Sequence, residues 1–161
     1  MDGEWFQFGR KQGINFAEIE KLVAPEISLG GNFSYDKYGR FYSTTKVYGY
    51  IKKIEIKESY FFWLGLLNSQ LFWYYIQQTG YVLRGGYFTF KTNYILPFPV
   101  PGNLPVGIVN GIERLAKDIF QKKSSFEKTD TQIQEKMIDN YIYELYDLLE
   151  EEIDVIEGVG K

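Results

Sequence analysis

The hydrophobic and polar positions divide the chain into three textures. Over residues 5–57, short apolar segments rich in Phe, Tyr, Thr, Ile and Val are punctuated by Gly, Asn and Asp, which is the texture of short strands joined by turns. Within this stretch Asp36-Lys37-Tyr38-Gly39-Arg40 separates Asn32-Phe33-Ser34-Tyr35 from Phe41-Tyr42-Ser43. Gly39 can supply the positive backbone angle of a tight loop, so a hairpin is expected with Lys37 and Arg40 near its tip. From Tyr60 the period lengthens: Tyr60, Leu64, Leu67, Leu71 and Tyr74 fall three and four apart on one face. This predicts a helix over Tyr60–Gln78, kinked near Asn68-Ser69 and ended by Gly80. Tyr87-Phe88-Thr89-Phe90 and Tyr94-Ile95-Leu96 return to strand character before Pro97, Pro99, Pro101 and Pro105, which mark a passage between elements. Beyond the prolines, Ile108, Ile112, Leu115 and Ile119 define a second helix, and Ile133, Met137, Tyr141, Leu145 and Leu148 a third. The polar stretch from Lys122 to Asp130 joins them, with Thr129 or Asp130 placed to cap the third helix.

These elements make an α+β fold: a curved, mainly antiparallel sheet with a central packed helix and two C-terminal helices. A length of 161 residues suits one folding unit, divided here into a core over 1–105 and a helical pair over 106–161 that packs on the core or on a separate catalytic domain. Composition narrows the chemistry. With no cysteine there is no disulfide framework or thiolate metal site, and with no histidine there is no imidazole base and no Ser/His/Asp triad. The chain has no phosphate-cradling Gly-rich loop, no dinucleotide fingerprint and no EF-hand loop. Carboxylates do cluster, as Glu18/Glu20 and Glu150-Glu151-Glu152, but in patterns that read as solvated surface. The most apolar run, Tyr60 to Ile76, is broken by Gly65, Asn68, Ser69 and Gln70, so no membrane span is expected and the cytoplasm is the expected compartment.

The net charge of −3 is unevenly placed. Residues 1–105 carry 11 Lys+Arg against 8 Asp+Glu, whereas residues 106–161 carry 7 against 13. A weakly basic face on the first two thirds, turned away from an acidic helical end, is therefore open to the chain, as is an ordinary solvated surface.

The order of short motifs carries more than the composition. Phe8-Gly9-Arg10-Lys11-Gln12 is followed by Lys21-Leu22-Val23-Ala24-Pro25-Glu26-Ile27-Ser28 and then by Phe33-Ser34-Tyr35-Asp36-Lys37-Tyr38-Gly39-Arg40-Phe41-Tyr42. Leu66-Leu67-Asn68-Ser69, Arg84-Gly85-Gly86-Tyr87-Phe88 and Leu96-Pro97-Phe98-Pro99 complete the series, and Ile142-Tyr143-Glu144-Leu145-Tyr146-Asp147-Leu148 lies beyond it. In this order, over about residues 5–101, the chain resembles the TaqI-like C-terminal specificity domain of restriction–modification DNA methyltransferases. The resemblance implies a domain that recognises target sequence in double-stranded DNA. A separate catalytic methyltransferase domain of the same parent protein would bind S-adenosylmethionine and methylate adenine at its exocyclic nitrogen. An endonuclease activity, with magnesium, would also belong to that parent. The Asn/Asp-Pro-Pro-Tyr/Phe motif of such a methylation site is missing from this chain, so no catalytic residue, cofactor or metal is expected within it.

Phosphate contacts would set register and side chains at base edges would select sequence. Arg10, Lys11, Gln12, Lys37, Arg40 and Arg84 combine charge or amide chemistry with expected loop positions: arginine can pair bidentately with guanine, and glutamine with adenine. Gly85 and Gly86 would let backbone approach a phosphate closely. Singly, each reads better as an ordinary exposed charge or a turn glycine; the argument rests on the set. Most aromatics, Tyr35, Tyr38 and Tyr87 included, are expected in packing, with Trp63, Phe72, Trp73 and Tyr74 of the central helix buried against the sheet. Two other classes are compatible with the composition. An aromatic platform would suit a carbohydrate-type binding module, and an apolar stripe left exposed on the final helices would mark a protein-assembly domain.

Overall fold

The strands are short, and the two central helices each start at a serine whose hydroxyl accepts hydrogen bonding from the backbone of the first turn. A computed structural model describes residues 14–42, 46–125 and 129–158. After a single 3-10 turn, strand β1 (Lys21–Pro25) leads through a bend at Glu26 into β2 (Ile27–Ser28), followed by β3 (Ser34–Asp36) and β4 (Val47–Tyr50). Helices α1 (Tyr60–Leu67) and α2 (Gln70–Thr79) precede β5 (Phe88–Thr89) and the one-turn α3 (Thr92–Ile95). Helices α4 (Val106–Ser124), α5 (Gln132–Leu145) and α6 (Glu150–Glu157) close the chain. The class is α+β, with the sheet realised as two small antiparallel sheets, ordered β3-β1-β4 and β2-β5. Lys21 stands opposite Asp36, Leu22 opposite both Tyr35 and Tyr50, and Ile27 opposite Thr89.

The helix expected over Tyr60–Gln78 is two helices. The Ser69 hydroxyl donates to the Leu66 carbonyl at 2.7 Å and accepts the Phe72 N–H at 3.1 Å, so one side chain both closes α1 and caps α2. The interruption resets the helical phase. Leu64 and Leu67 are buried in α1 as expected, but in α2 the buried positions are Phe72 and Ile76 rather than Leu71 and Tyr74.

Helix α4 lies along α1. A Cβ at Gly65 would approach Ile112 Cγ2 to 2.6 Å, so the glycine lets the two helices meet more closely than alanine would allow. Phe62, Leu66, Phe72, Ile76, Ile112 and Ile142 are fully buried and join Leu22, Ala24 and Phe33 of the strand region in one apolar core. Phe98 enters that core from the proline passage, edge-on to Phe72 at 5.0 Å, while the Tyr146 hydroxyl donates to the Pro99 carbonyl at 2.7 Å.

Three local expectations are corrected. Segment 32–35 does not form a hairpin with 41–43: β3 pairs with β1, residues 41 and 42 are irregular, and Ser43 lies outside the described residues. Tyr94-Ile95-Leu96 is not a strand but part of α3 and its cap, with the Leu96 N–H bonded to the Thr92 carbonyl at 2.9 Å; three apolar residues in a row carry no period that separates helix from strand. The buried side of α5 is Ile138, Ile142, Tyr143 and Leu145, which leaves Ile133 76% and Met137 41% exposed. The helix stops at Leu145, short of Leu148, and a third C-terminal helix, α6, follows. The N-cap of α5 is Thr131 rather than Thr129 or Asp130, and Asp130, one residue before it, accepts the Gln132 N–H at 2.9 Å.

Candidate functional site

The turn that presents Lys37 and Arg40 is built on a buried ion pair. Lys21, the first residue of β1, points its ammonium into the protein, where it donates to the Asp36 carboxylate at 2.8 Å and to the carbonyls of Ala17 at 2.6 Å and Ile19 at 3.3 Å. The three donors of the ammonium thus have three acceptors, which is what makes a charge tolerable at 1% exposure. Asp36 is equally committed, accepting the backbone N–H groups of Arg40 and Phe41, each at 2.9 Å. Burial alone would raise its pKa, but the bonds from Lys21 and those two N–H groups outweigh burial and hold it below the usual aspartate value. The bond from the Phe41 N–H takes a donor that a ladder between 32–35 and 41–43 could have used. Gly39, at φ +61°, completes the turn; a side chain there would collide with the Glu18 and Ile19 backbone. The turn is therefore clamped onto residues 17–19, and the Tyr42 hydroxyl reaches the Glu18 carboxylate at 2.6 Å.

On this base, Lys37 and Arg40 flank one ring. The Lys37 ammonium lies 5.4 Å and the Arg40 guanidinium 5.1 Å from the centroid of Tyr38, within cation–π range. Tyr38 is 68% exposed, contrary to the expectation of core packing, and Tyr87 is exposed as well; only Tyr35 is packed, stacked on Tyr60 at 5.4 Å.

Arg84 lies at the tip of a second turn. The Leu83 N–H bonds the Tyr87 carbonyl at 2.6 Å and the Gly86 N–H bonds the Leu83 carbonyl at 3.2 Å, with Gly85 at φ +86° and Gly86 at φ +79°. Both glycines thus have a conformational task in closing the turn. Val82 bridges Phe88, and β5 continues onto β2.

The strand register fixes how the two turns relate. Asp36 is opposite Lys21, at the start of β1, while Phe88 is opposite Ser28, at the end of β2. Lys37 and Arg40 are brought together; Arg84 is placed at the other end of the β1–β2 run. Seven residue steps at roughly 3.3 Å give a span of up to about 23 Å. Near the bend between the two strands, Glu26 holds Lys46 at 3.5 Å and Lys91 at 3.8 Å. Arg10, Lys11 and Gln12 lie outside the described residues.

Elsewhere the chemistry is sparse. A groove of about 540 Å³ between the β3 approach, the start of α2, α4 and α5 is lined by Asn68, Gln70, Lys123, Glu135 and Asp139 among others. Asn68 is bonded to the Phe33 backbone, Lys123 to Glu135, and Asp139 to the Gln70 N–H. Burial, with smaller contributions from Glu157 and Glu135, pushes Asp139 up to about 6 against the lowering effect of the Gln70 N–H. Trp73 is engaged edge-on by Phe88 and stacked on Phe90 rather than presented as a platform, and the buried Trp63 Nε1 has no hydrogen-bond partner among the described residues. Among the described residues no group of three or more Asp and Glu is arranged to hold a metal ion, and no helix is long and apolar enough to cross a membrane.

The buried Lys21–Asp36 pair is the element that residue-type reasoning missed. Its only trace in the sequence is that Lys21 opens an otherwise apolar strand and Asp36 opens the turn.

A family model described as the TaqI-like C-terminal specificity domain matches residues 3–100. The chain is also 30% identical over 136 residues to a protein of Methanocaldococcus jannaschii provisionally named a type II restriction enzyme and methyltransferase. That alignment covers 81% of this chain and 11% of the relative, so the chain spans about a tenth of the length of the protein it matches.

Proposed function

This chain belongs to the TaqI-like C-terminal specificity domain family, and from that premise we propose that it reads the base sequence of double-stranded DNA for a restriction–modification adenine-N6 methyltransferase. The observation that carries the reading is the pair of exposed basic turns, Lys37/Arg40 and Arg84, set at the two ends of the β1–β2 run inside the matched segment. Two cationic points at opposite ends of that run suit separate phosphates or groove edges along one duplex. Arginine at a turn tip can anchor to phosphate or pair with guanine in the major groove. Arg10, Lys11 and Gln12 would add to the first of these points or form a third.

Catalysis belongs to the parent protein. The chain lacks the Asn/Asp-Pro-Pro-Tyr/Phe motif, histidine and cysteine, so the S-adenosylmethionine, and any magnesium used for cleavage, would be held by the catalytic portion. The isolated chain would then act as a reader and not as an enzyme.

The test is selection of bound sequences from a randomised duplex pool at low and moderate salt, with a variant carrying Arg10→Ala, Arg40→Ala and Arg84→Ala as control. Salt-sensitive binding that enriches a short sequence and is lost in the variant is expected. No binding at low salt would overturn an autonomous reader.

A second reading has its own observation. Ile133 and Met137 are exposed one turn apart on α5, an apolar stripe that the chain's own core leaves uncovered, as a protein-assembly role requires. It is compatible with the first, because the catalytic domain of the parent would be the partner.

A further inference from the structure

We propose that the Tyr38 turn engages an unpaired nucleotide, with the tyrosine ring stacking on the face of an exposed base while Lys37 and Arg40 hold the phosphates on either side. This rests on the DNA-reading function above and goes beyond it by naming the state of the DNA that the turn prefers.

Three observations converge on it. Tyr38 is exposed although the Lys37 and Arg40 cations lie over its ring, so an incoming base would take the place of these cation–π contacts and leave both cations beside it for phosphates. The turn's own carboxylate, Asp36, is turned inward, with both oxygens taken by Lys21, Arg40 and Phe41. The nearest other carboxylate identified, Glu18, accepts the Tyr42 hydroxyl. Finally, Phe16, Phe41 and Tyr42 are each more than half exposed on the same pair of clamped segments, so Tyr38 belongs to an aromatic surface.

Aromatic faces alternating with cations match a chain of bases and phosphates. A paired duplex offers its phosphates to the cations but keeps its base faces inside the stack. The ring can therefore be satisfied only where a base has left the stack or where a step has opened. A protein partner would have to bring both carboxylates and aromatic rings to one small turn, whereas a nucleotide carries both chemistries in one unit.

The experiment compares binding of this chain to a perfectly paired duplex and to the same duplex with a short unpaired bubble, by fluorescence anisotropy over a salt series. The wild-type chain is expected to bind the bubble about tenfold more tightly, the range of one aromatic–base stack. Tyr38→Leu should abolish that preference, costing bubble binding more than paired-duplex binding, and Tyr38→Phe should keep it. Lys37→Ala with Arg40→Ala should weaken both substrates and flatten the salt slope of both. Thermal unfolding of each variant controls for folding, which substitution of an exposed side chain should not disturb. Equal wild-type affinity for bubble and duplex, or a bubble preference that survives Tyr38→Leu, would overturn the stacking role and leave duplex reading intact. Failure to bind either DNA would overturn both.

Discussion

Removing the ammonium of Lys21 would leave the Asp36 carboxylate buried with only two backbone N–H groups for company. Breaking one side of such a pair typically costs about 3–5 kcal/mol, so Lys21→Met is expected to lower the urea midpoint by that equivalent without changing the slope. The acid limb carries a second signature. Because the folded pKa of Asp36 lies below its unfolded value of about 3.9, the pair's contribution is present above that value and lost as pH falls through the folded pKa. Lys21→Met should flatten that limb. Asp139 has the opposite sign. Its folded pKa of about 6 is above the unfolded value, so the native state keeps a proton that the unfolded chain has released. Its unfavourable contribution is absent below about pH 3.9 and complete above the folded value. Asp139→Asn, which keeps an acceptor for the Gln70 N–H, is expected to raise the melting temperature at pH 7.5 and to make no difference at pH 4; an equal shift at both pH values would exclude the electrostatic account. Neither residue announces these roles in sequence. Lys21 and Asp36 are fifteen positions apart in different strands, and Asp139 meets α2 only through the packing of α5.

Two elements show where periodicity carries information and where it stops. The stripe Ile108, Ile112, Leu115 and Ile119 places α4 correctly because the helix runs without interruption for five turns. The stripe expected to continue from Tyr60 to Tyr74 fails at Ser69, since a residue bonded to both helix ends resets the phase. The short strands are harder still. β3 owes its pairing to β1, and that depends on a carboxylate whose partners cannot be inferred from local texture. The α1–α4 contact gives a clear test: Gly65→Ala would put a methyl against Ile112 and should cost about 1–3 kcal/mol in urea unfolding, the usual range for overpacking. The outer stripe of α5 should behave differently. Ile133→Gln removes little buried surface, since Ile133 is 76% exposed, and is expected to leave unfolding within about 0.5 kcal/mol of wild type, whereas Met137 is 41% exposed and Met137→Gln should cost more. If α5 docks on the catalytic portion, the same pair of substitutions should weaken association of the two parts added in trans. Unchanged association would leave those two residues as ordinary exposed apolar side chains.

At the scale of the whole molecule, the family was legible because the motifs occur in a fixed order over most of the first hundred residues, and the family model covers the same stretch. The geometry was not, because only the register shows that Lys37 and Arg40 share one ring while Arg84 belongs to the far end of β1–β2. That separation has a consequence for DNA. Two turns without a common partner should contribute independently, so Arg40→Ala and Arg84→Ala should lower affinity additively to within about 0.5 kcal/mol. Each replaced phosphate contact should also reduce the slope of log affinity against log salt by about 0.9. If either arginine reads a base edge, its loss should relax selectivity at one position at a cost of about 1–3 kcal/mol, with a different position for each arginine. Selection from a randomised pool with each single variant makes this visible. Relaxation at separate ends of the site is the expected pattern. Relaxation at one shared position would require the turns to converge on the same base pair and would overturn independent contacts by the two turns.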